Sequence, residues 1–184
     1  MTTANKLTLC RVVMIPIFLV LLYVDFTGHL WAALAVFILA SVTDFIDGYV
    51  ARHYHQITDF GKFMDPIADK LLVMSAFVVL VGQGRMPSWA CIIVLGREFV
   101  ISGFRLVAAD AGRVIAAGPL GKIKTVTQMA AVLLLLLLSP AAGEAPLGEG
   151  GKVFADVVMY ISTFFSLVSC VDYIARNRDC LKDK

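Results

Sequence analysis

Six apolar runs, at about residues 7–24, 31–50, 66–82, 88–109, 123–139 and 153–175, leave this chain little choice of fold. Each is close to the roughly 20 residues that carry an α-helix across a hydrocarbon layer about 30 Å thick. In such a layer backbone N–H and C=O groups find no water, so a span must satisfy them internally, as a helix does. Composition agrees: 59% of the 184 residues are apolar and 16% charged, against about 45–50% and 25% in soluble domains, and the mean hydropathy is +0.83. The expected fold is an all-α integral membrane protein with six transmembrane helices, residues 1–184 forming a single membrane domain. An even number of spans puts both termini on one side. Taking that side as cytoplasmic places Lys6, Arg11, Arg52, Lys62, Arg113, Lys122, Lys124, Arg176, Arg178, Lys182 and Lys184 inside, against Arg85 and Lys152 outside, as the positive-inside rule requires.

Short connections punctuate these runs, and "APLGEGG" reads as a flexible outer loop. The first run follows "MTTANK" and lacks a small-x-small cleavage site, so it reads as a retained helix. A net charge of +2 without a dense basic run gives no footprint for nucleic acid. Cys10, Cys91, Cys170 and Cys180 have neither CxxC spacing nor the density of a disulfide scaffold, and read as packing residues.

Against this apolar background, "SVTDFIDGYVARHYHQITDFGKFMDPIADK" stands out. Asp44 and Asp47 are spaced i, i+3 near the end of the second run; Asp65 and Asp69 are spaced i, i+4 at the start of the third. Each pair shares one helical face. If the pairs converge, four carboxylates crowd together and repel unless a cation sits among them. Oxygen ligands without Cys or His suit Mg²⁺ or Mn²⁺, and four carboxylates suit two such ions about 3.5–4 Å apart. The plainer alternative is that these residues pair with Arg52, Lys62 and Lys70 or cap helices, Asp65 before Pro66 having the look of a helix start. Gly48 and Gly61 remove side chains beside the acidic pairs, and Arg52, one turn beyond Gly48, offers a fork of donors suited to phosphate. Together they suggest a diphosphate ligand.

A second polar group lies in the fourth and fifth runs. Glu98, Ser102 and Arg105 fall at i, i+4 and i+7, a polar stripe in an apolar span. Lys122, Lys124, Thr125 and Gln128 open the next helix, where the dipole favours an anion. This corner is expected to bind a phosphate. The alternative is that Arg97 or Arg105 simply pairs with Glu98 and that the lysines obey the charge rule.

Read in full, Asp44-x2-Asp47-Gly48-x2-Ala51-Arg52-x8-Gly61-x3-Asp65-x3-Asp69 resembles the signature of the CDP-alcohol phosphatidyltransferases, with all eight positions at the family spacing. The resemblance implies a membrane enzyme, usually a homodimer, that moves a phosphatidyl group from CDP-diacylglycerol to an alcohol and releases CMP. It implies two divalent cations held by Asp44, Asp47, Asp65 and Asp69, with Asp69 also the general base. Gly48, Ala51 and Gly61 would shape the nucleotide cleft, and Arg52 would contact the diphosphate. "NKLTLCRVVMIPIF", "GREFVISGFRLVAA" and "GKIKTVTQ" resemble the branch whose acceptor is sn-glycerol 3-phosphate, adding Asn5, Thr8 and Glu98 to the candidates and drawing Arg97, Arg105, Lys122, Lys124 and Thr125 toward the acceptor phosphate. The implied location is the inner (cytoplasmic) cell membrane, with the active site facing the cytoplasm. The alternatives are another acceptor (inositol phosphate, inositol or serine) and, from a different class, a divalent-cation transporter. A transporter would need carboxylates near the midplane.

Overall fold

The computed structural model describes residues 3–24, 26–53, 59–110, 112, 115, 118–138 and 148–178. Within its helices the side chains of residues 3, 4, 6, 44, 45, 47–53, 59–63, 65, 66 and 69 lie outside the description. Six α-helices follow one another: α1 (Thr3–Tyr23), α2 (His29–His53), α3 (Asp59–Gly82), α4 (Ser88–Asp110), α5 (Pro119–Leu138) and α6 (Gly148–Asn177). There is no strand among the described residues. Two of the helices, α5 and α6, are long and apolar enough to cross a membrane, while Leu7–Tyr23, His29–Thr43 and Lys70–Gly82 are apolar over shorter lengths.

The chain falls into two compact units, Met1–Val79 and Leu80–Lys184. In the first, α1 and α2 form an antiparallel hairpin. Gly28 takes φ of 90° and its carbonyl accepts from the Ala32 N–H at 3.0 Å, which starts α2. Ile15, Phe18 and Leu22 of α1 are buried, as are Ala33, Phe37 and Ala40 of α2, and the Phe18 and Phe37 rings lie 5.5 Å apart.

In the second unit α5 and α6 pair as a hairpin and α4 lies against α6. Trp89 stacks on Tyr160 at 5.8 Å, and Phe104 meets Tyr173 edge-on at 5.6 Å. Both rings of α4 thus meet α6 in the same order along the chain, so the two helices run parallel. Apart from Met159, the buried face of α6 is made of small or polar residues, among them Gly151, Ala155, Ser162, Thr163, Ser166 and Ser169. Small residues bring helix axes close where lipid leaves no hydrophobic force between them. Their hydroxyls are mostly satisfied within the helix: Ser162 and Thr163 donate to the Met159 carbonyl at 2.8 and 3.0 Å, and Ser169 to that of Ser166 at 3.1 Å. Large apolar side chains point outward, Phe99 being 69% and Leu106 73% exposed, the reverse of a water-soluble fold.

Helix positions follow the apolar runs, but several boundaries do not, among them the starts of α1 at Thr3 and of α5 at Pro119. The third helix begins at Asp59, not at residue 66, so Asp65 and Pro66 lie within it and do not start it. Its predecessor continues to His53. The last helix begins at Gly148, so residues 148–151 of the expected outer loop form its first turn, with φ of 61° at Gly148. Hydropathy marks only the apolar part of a helix, whereas the backbone ladder runs on through charged residues wherever its carbonyls keep partners.

Candidate active site

Asp44, Asp47, Gly48, Ala51 and Arg52 lie on α2, and Gly61, Asp65 and Asp69 on α3. Because both stretches are helical, the i, i+3 and i, i+4 spacings keep each acidic pair on one helical face. Gly61 stands in the first turn of α3 and Arg52 in the last turn of α2. The side chains of all eight lie outside the described residues. Among the described residues no group of three His, Cys, Asp or Glu side chains could hold a metal ion.

On α1, Asn5 and Thr8 are buried, at 7% and 1% exposure, together with Arg11 at 0%. The spacing 5, 8, 11 puts them on the face that continues through Ile15, Phe18 and Leu22. One stripe of α1 is therefore polar at its beginning and apolar beyond. Sequence reasoning counted Arg11 only as an inside charge; its place on the stripe was the available signal.

In the second unit the expected phosphate corner divides. Arg97 Nη1 donates to Glu98 Oε1 at 3.0 Å, and Lys124 Nζ donates to the same oxygen. The Arg97 and Lys124 side chains are only 10% and 7% exposed. A methyl at Gly121 would stand 3.9 Å from Arg97 Nη2, so the guanidinium lies over the first turn of α5. Two cations thus share one carboxylate oxygen. Arg97 Nε and the neighbouring-turn amide of Gln128, Nε2, are buried donors with no hydrogen-bond partner among the described residues. Such a group is disposed to accept an anion.

Arg105, one of the residues expected at this corner, meets α6 through its Nε. Its Nε donates to the Tyr173 hydroxyl at 3.2 Å, and its guanidinium carbon lies 5.5 Å from the centre of that ring. Ser102 donates to the Glu98 carbonyl at 2.6 Å, so the predicted stripe is partly spent on the helix's own backbone. Lys122 and Thr125 are exposed, Thr125 donating to the Gly121 carbonyl at 3.1 Å. Tyr173, far along the chain, was not singled out from the sequence.

An all-helical chain with a paired-aspartate segment on consecutive helices and a buried cationic corner belongs to the CDP-alcohol phosphatidyltransferase family, whose model matches residues 1–168. With two helices able to cross a bilayer, it is a membrane protein. Among its relatives is the CDP-diacylglycerol--glycerol-3-phosphate 3-phosphatidyltransferase of Bacillus subtilis (strain 168), 41% identical over 97% of this chain and 96% of the relative. The Rickettsia typhi protein of the same name is 35% identical over 92% of this chain and 93% of its own length. A probable phosphatidylglycerophosphate synthase of Mycobacterium tuberculosis is 40% identical over 94% of this chain and 80% of the relative.

Proposed function

We infer that this chain transfers the phosphatidyl group of CDP-diacylglycerol to sn-glycerol 3-phosphate, giving phosphatidylglycerophosphate and CMP. The observation that carries the reading is similarity along almost the whole chain to relatives named for that reaction, 41% identity over 97% of its length in one case. Family membership and the relatives' names speak against the transporter alternative.

The acidic segment fits divalent cations by the chemistry of its donors: four carboxylates at helical spacing, all hard oxygen donors, suit hard ions such as Mg²⁺ or Mn²⁺. Asp44, Asp47, Asp65 and Asp69 would hold two of them. Bound there, the ions supply the positive charge that a diphosphate and a departing CMP need. Arg52 contacts the diphosphate, while Gly48, Ala51 and Gly61 leave room for the nucleotide beside the helix backbones. A glycerol 3-phosphate hydroxyl attacks the phosphorus nearest the diacylglycerol, its proton passes to Asp69, and the bond from that phosphorus to the CMP oxygen breaks. Arg97 and Lys124, gathered on Glu98, bind the acceptor's phosphate and orient it. Asn5 and Thr8, buried on α1, line the site. Six spans with both termini in the cytoplasm would open this chemistry toward the cytoplasmic face of the cell membrane, in a homodimer.

The test is CMP release by the purified protein in detergent from CDP-diacylglycerol with Mg²⁺ or Mn²⁺, comparing glycerol 3-phosphate, inositol phosphate, inositol and serine, with EDTA as control. Release with glycerol 3-phosphate alone, abolished by EDTA, is expected. Release with a different acceptor would overturn the acceptor assignment and keep the donor chemistry. Undiminished release in EDTA would overturn the cation site.

A further inference from the structure

The α1–α2 hairpin packs along a seam with the three-and-four spacing of a heptad. Buried Thr8, Arg11, Ile15, Phe18 and Leu22 form it on α1, and buried Ala33, Phe37 and Ala40 on α2. The Phe18 and Phe37 rings, 5.5 Å apart, set the register. Seven residues fall only about 20° short of two turns, so a heptad step keeps a residue on the same stripe. In an antiparallel pair, seven steps back from Phe18 (18 − 7 = 11) and seven forward from Phe37 (37 + 7 = 44) reach the same level. Arg11 and Asp44 therefore occupy facing positions. Three steps further, Thr8 stands level with Asp47.

Arg11 is 0% exposed. A guanidinium stays charged in a protein, and its removal from water is costly unless an anion lies against it. The acidic residue at its level on the helix it faces is Asp44. We propose that Arg11 is a positioning residue that holds the Asp44 carboxylate and serves as the protein's own counter-charge to the acidic segment before a divalent cation binds. The carboxylates of the proposed cation site would repel one another in the absence of ions; one fixed cation in the α1 wall keeps a ligand position in place so that binding does not first have to order it. The purpose rests on the cation site proposed above, whereas the pairing itself does not.

The experiment is a double-mutant cycle on the full chain in detergent and EDTA, reading the midpoint of thermal unfolding for wild type, Arg11→Met, Asp44→Asn and the double variant. Arg11→Met alone is expected to lower the midpoint by roughly 5 °C or more, and the double variant to be more stable than Arg11→Met. Additive losses overturn the pairing. Saturating Mg²⁺ is expected to shrink the loss caused by Arg11→Met; equal losses with and without Mg²⁺ overturn the counter-charge role. If Arg11→Met does not fold, Arg11→Lys replaces it, keeping the charge and losing the fork. Its coupling to Asp44→Asn is expected to have the same sign, and no coupling overturns the proposal. A wild-type protein that gains no stability from either Mg²⁺ or Mn²⁺ tells against the cation site, and the EDTA cycle then decides Arg11 by itself.

Discussion

Glu98 carries the polar economy of the second unit. Its Oε1 accepts from Arg97 and from Lys124, 26 residues away, and its side chain is 9% exposed. Removing one member of a buried ionic group leaves the others unopposed, at about 3–5 kcal/mol. Glu98→Gln should therefore lower the thermal midpoint well beyond an ordinary surface change, which differential scanning would register. Lys124→Met should raise the KM for glycerol 3-phosphate at least about tenfold, the worth of one charge-assisted hydrogen bond, with little change in the KM for CDP-diacylglycerol. Arg105→Ala should do less to the acceptor, since its guanidinium is engaged with Tyr173. Equal effects of Lys124→Met on both substrates would make Lys124 structural. Arg85 presents the converse. It lies in the turn between α3 and α4, is 6% exposed, and its three guanidinium nitrogens have no hydrogen-bond partner among the described residues. Burial pushes its pKa down. Arg85→Met should leave stability unchanged or raise it, as replacing a buried ion by an apolar side chain of similar size often does; a large fall in the unfolding midpoint would reveal an anionic partner.

At the scale of elements, helix ends are set by capping chemistry and the middles by apolar content. The end of α3 is a Schellman turn: the Gly84 N–H donates to Val81 at 3.0 Å and the Arg85 N–H to Leu80 at 2.9 Å, with Gly84 at φ of 69°. Gly84→Ala has open space for its methyl but forces a left-handed backbone on an L residue. About 1–2 kcal/mol of lost stability is expected, readable in the unfolding midpoint, and no loss would mean that the turn rearranges. The turn was legible in "GQGRMP" as punctuation. The start of α3 was not, because Pro at the first helical position is a frequent arrangement and nothing local announces that the ladder begins seven residues earlier, at Asp59.

For the whole molecule, outward Phe99, Leu106 and their neighbours and the small-residue face of α6 describe a chain whose solvent is lipid. The proposed orientation makes a direct prediction. A cysteine placed at Lys152, in the first turns of α6, should react with an impermeant maleimide added outside intact cells, and one at Arg176, in its last turn, only after the membrane is opened. The reverse pattern would invert the topology.

The sequence by itself determined the class of fold and the donor set of the candidate site. Apolar runs of bilayer length admit little but helices, and the spacing of Asp44, Asp47, Asp65 and Asp69 on them follows from the 3.6-residue period, which is a local property. Tertiary structure alone decided which polar groups meet. Arg11 reads as one more inside charge until α2 faces it and burial makes it costly; Glu98, Ser102 and Arg105 read as one stripe until α5 brings Lys124 to Glu98 and α6 brings Tyr173 to Arg105. Period and hydropathy are properties of neighbours in the chain, whereas the cost of burying a charge depends on what packing sets beside it.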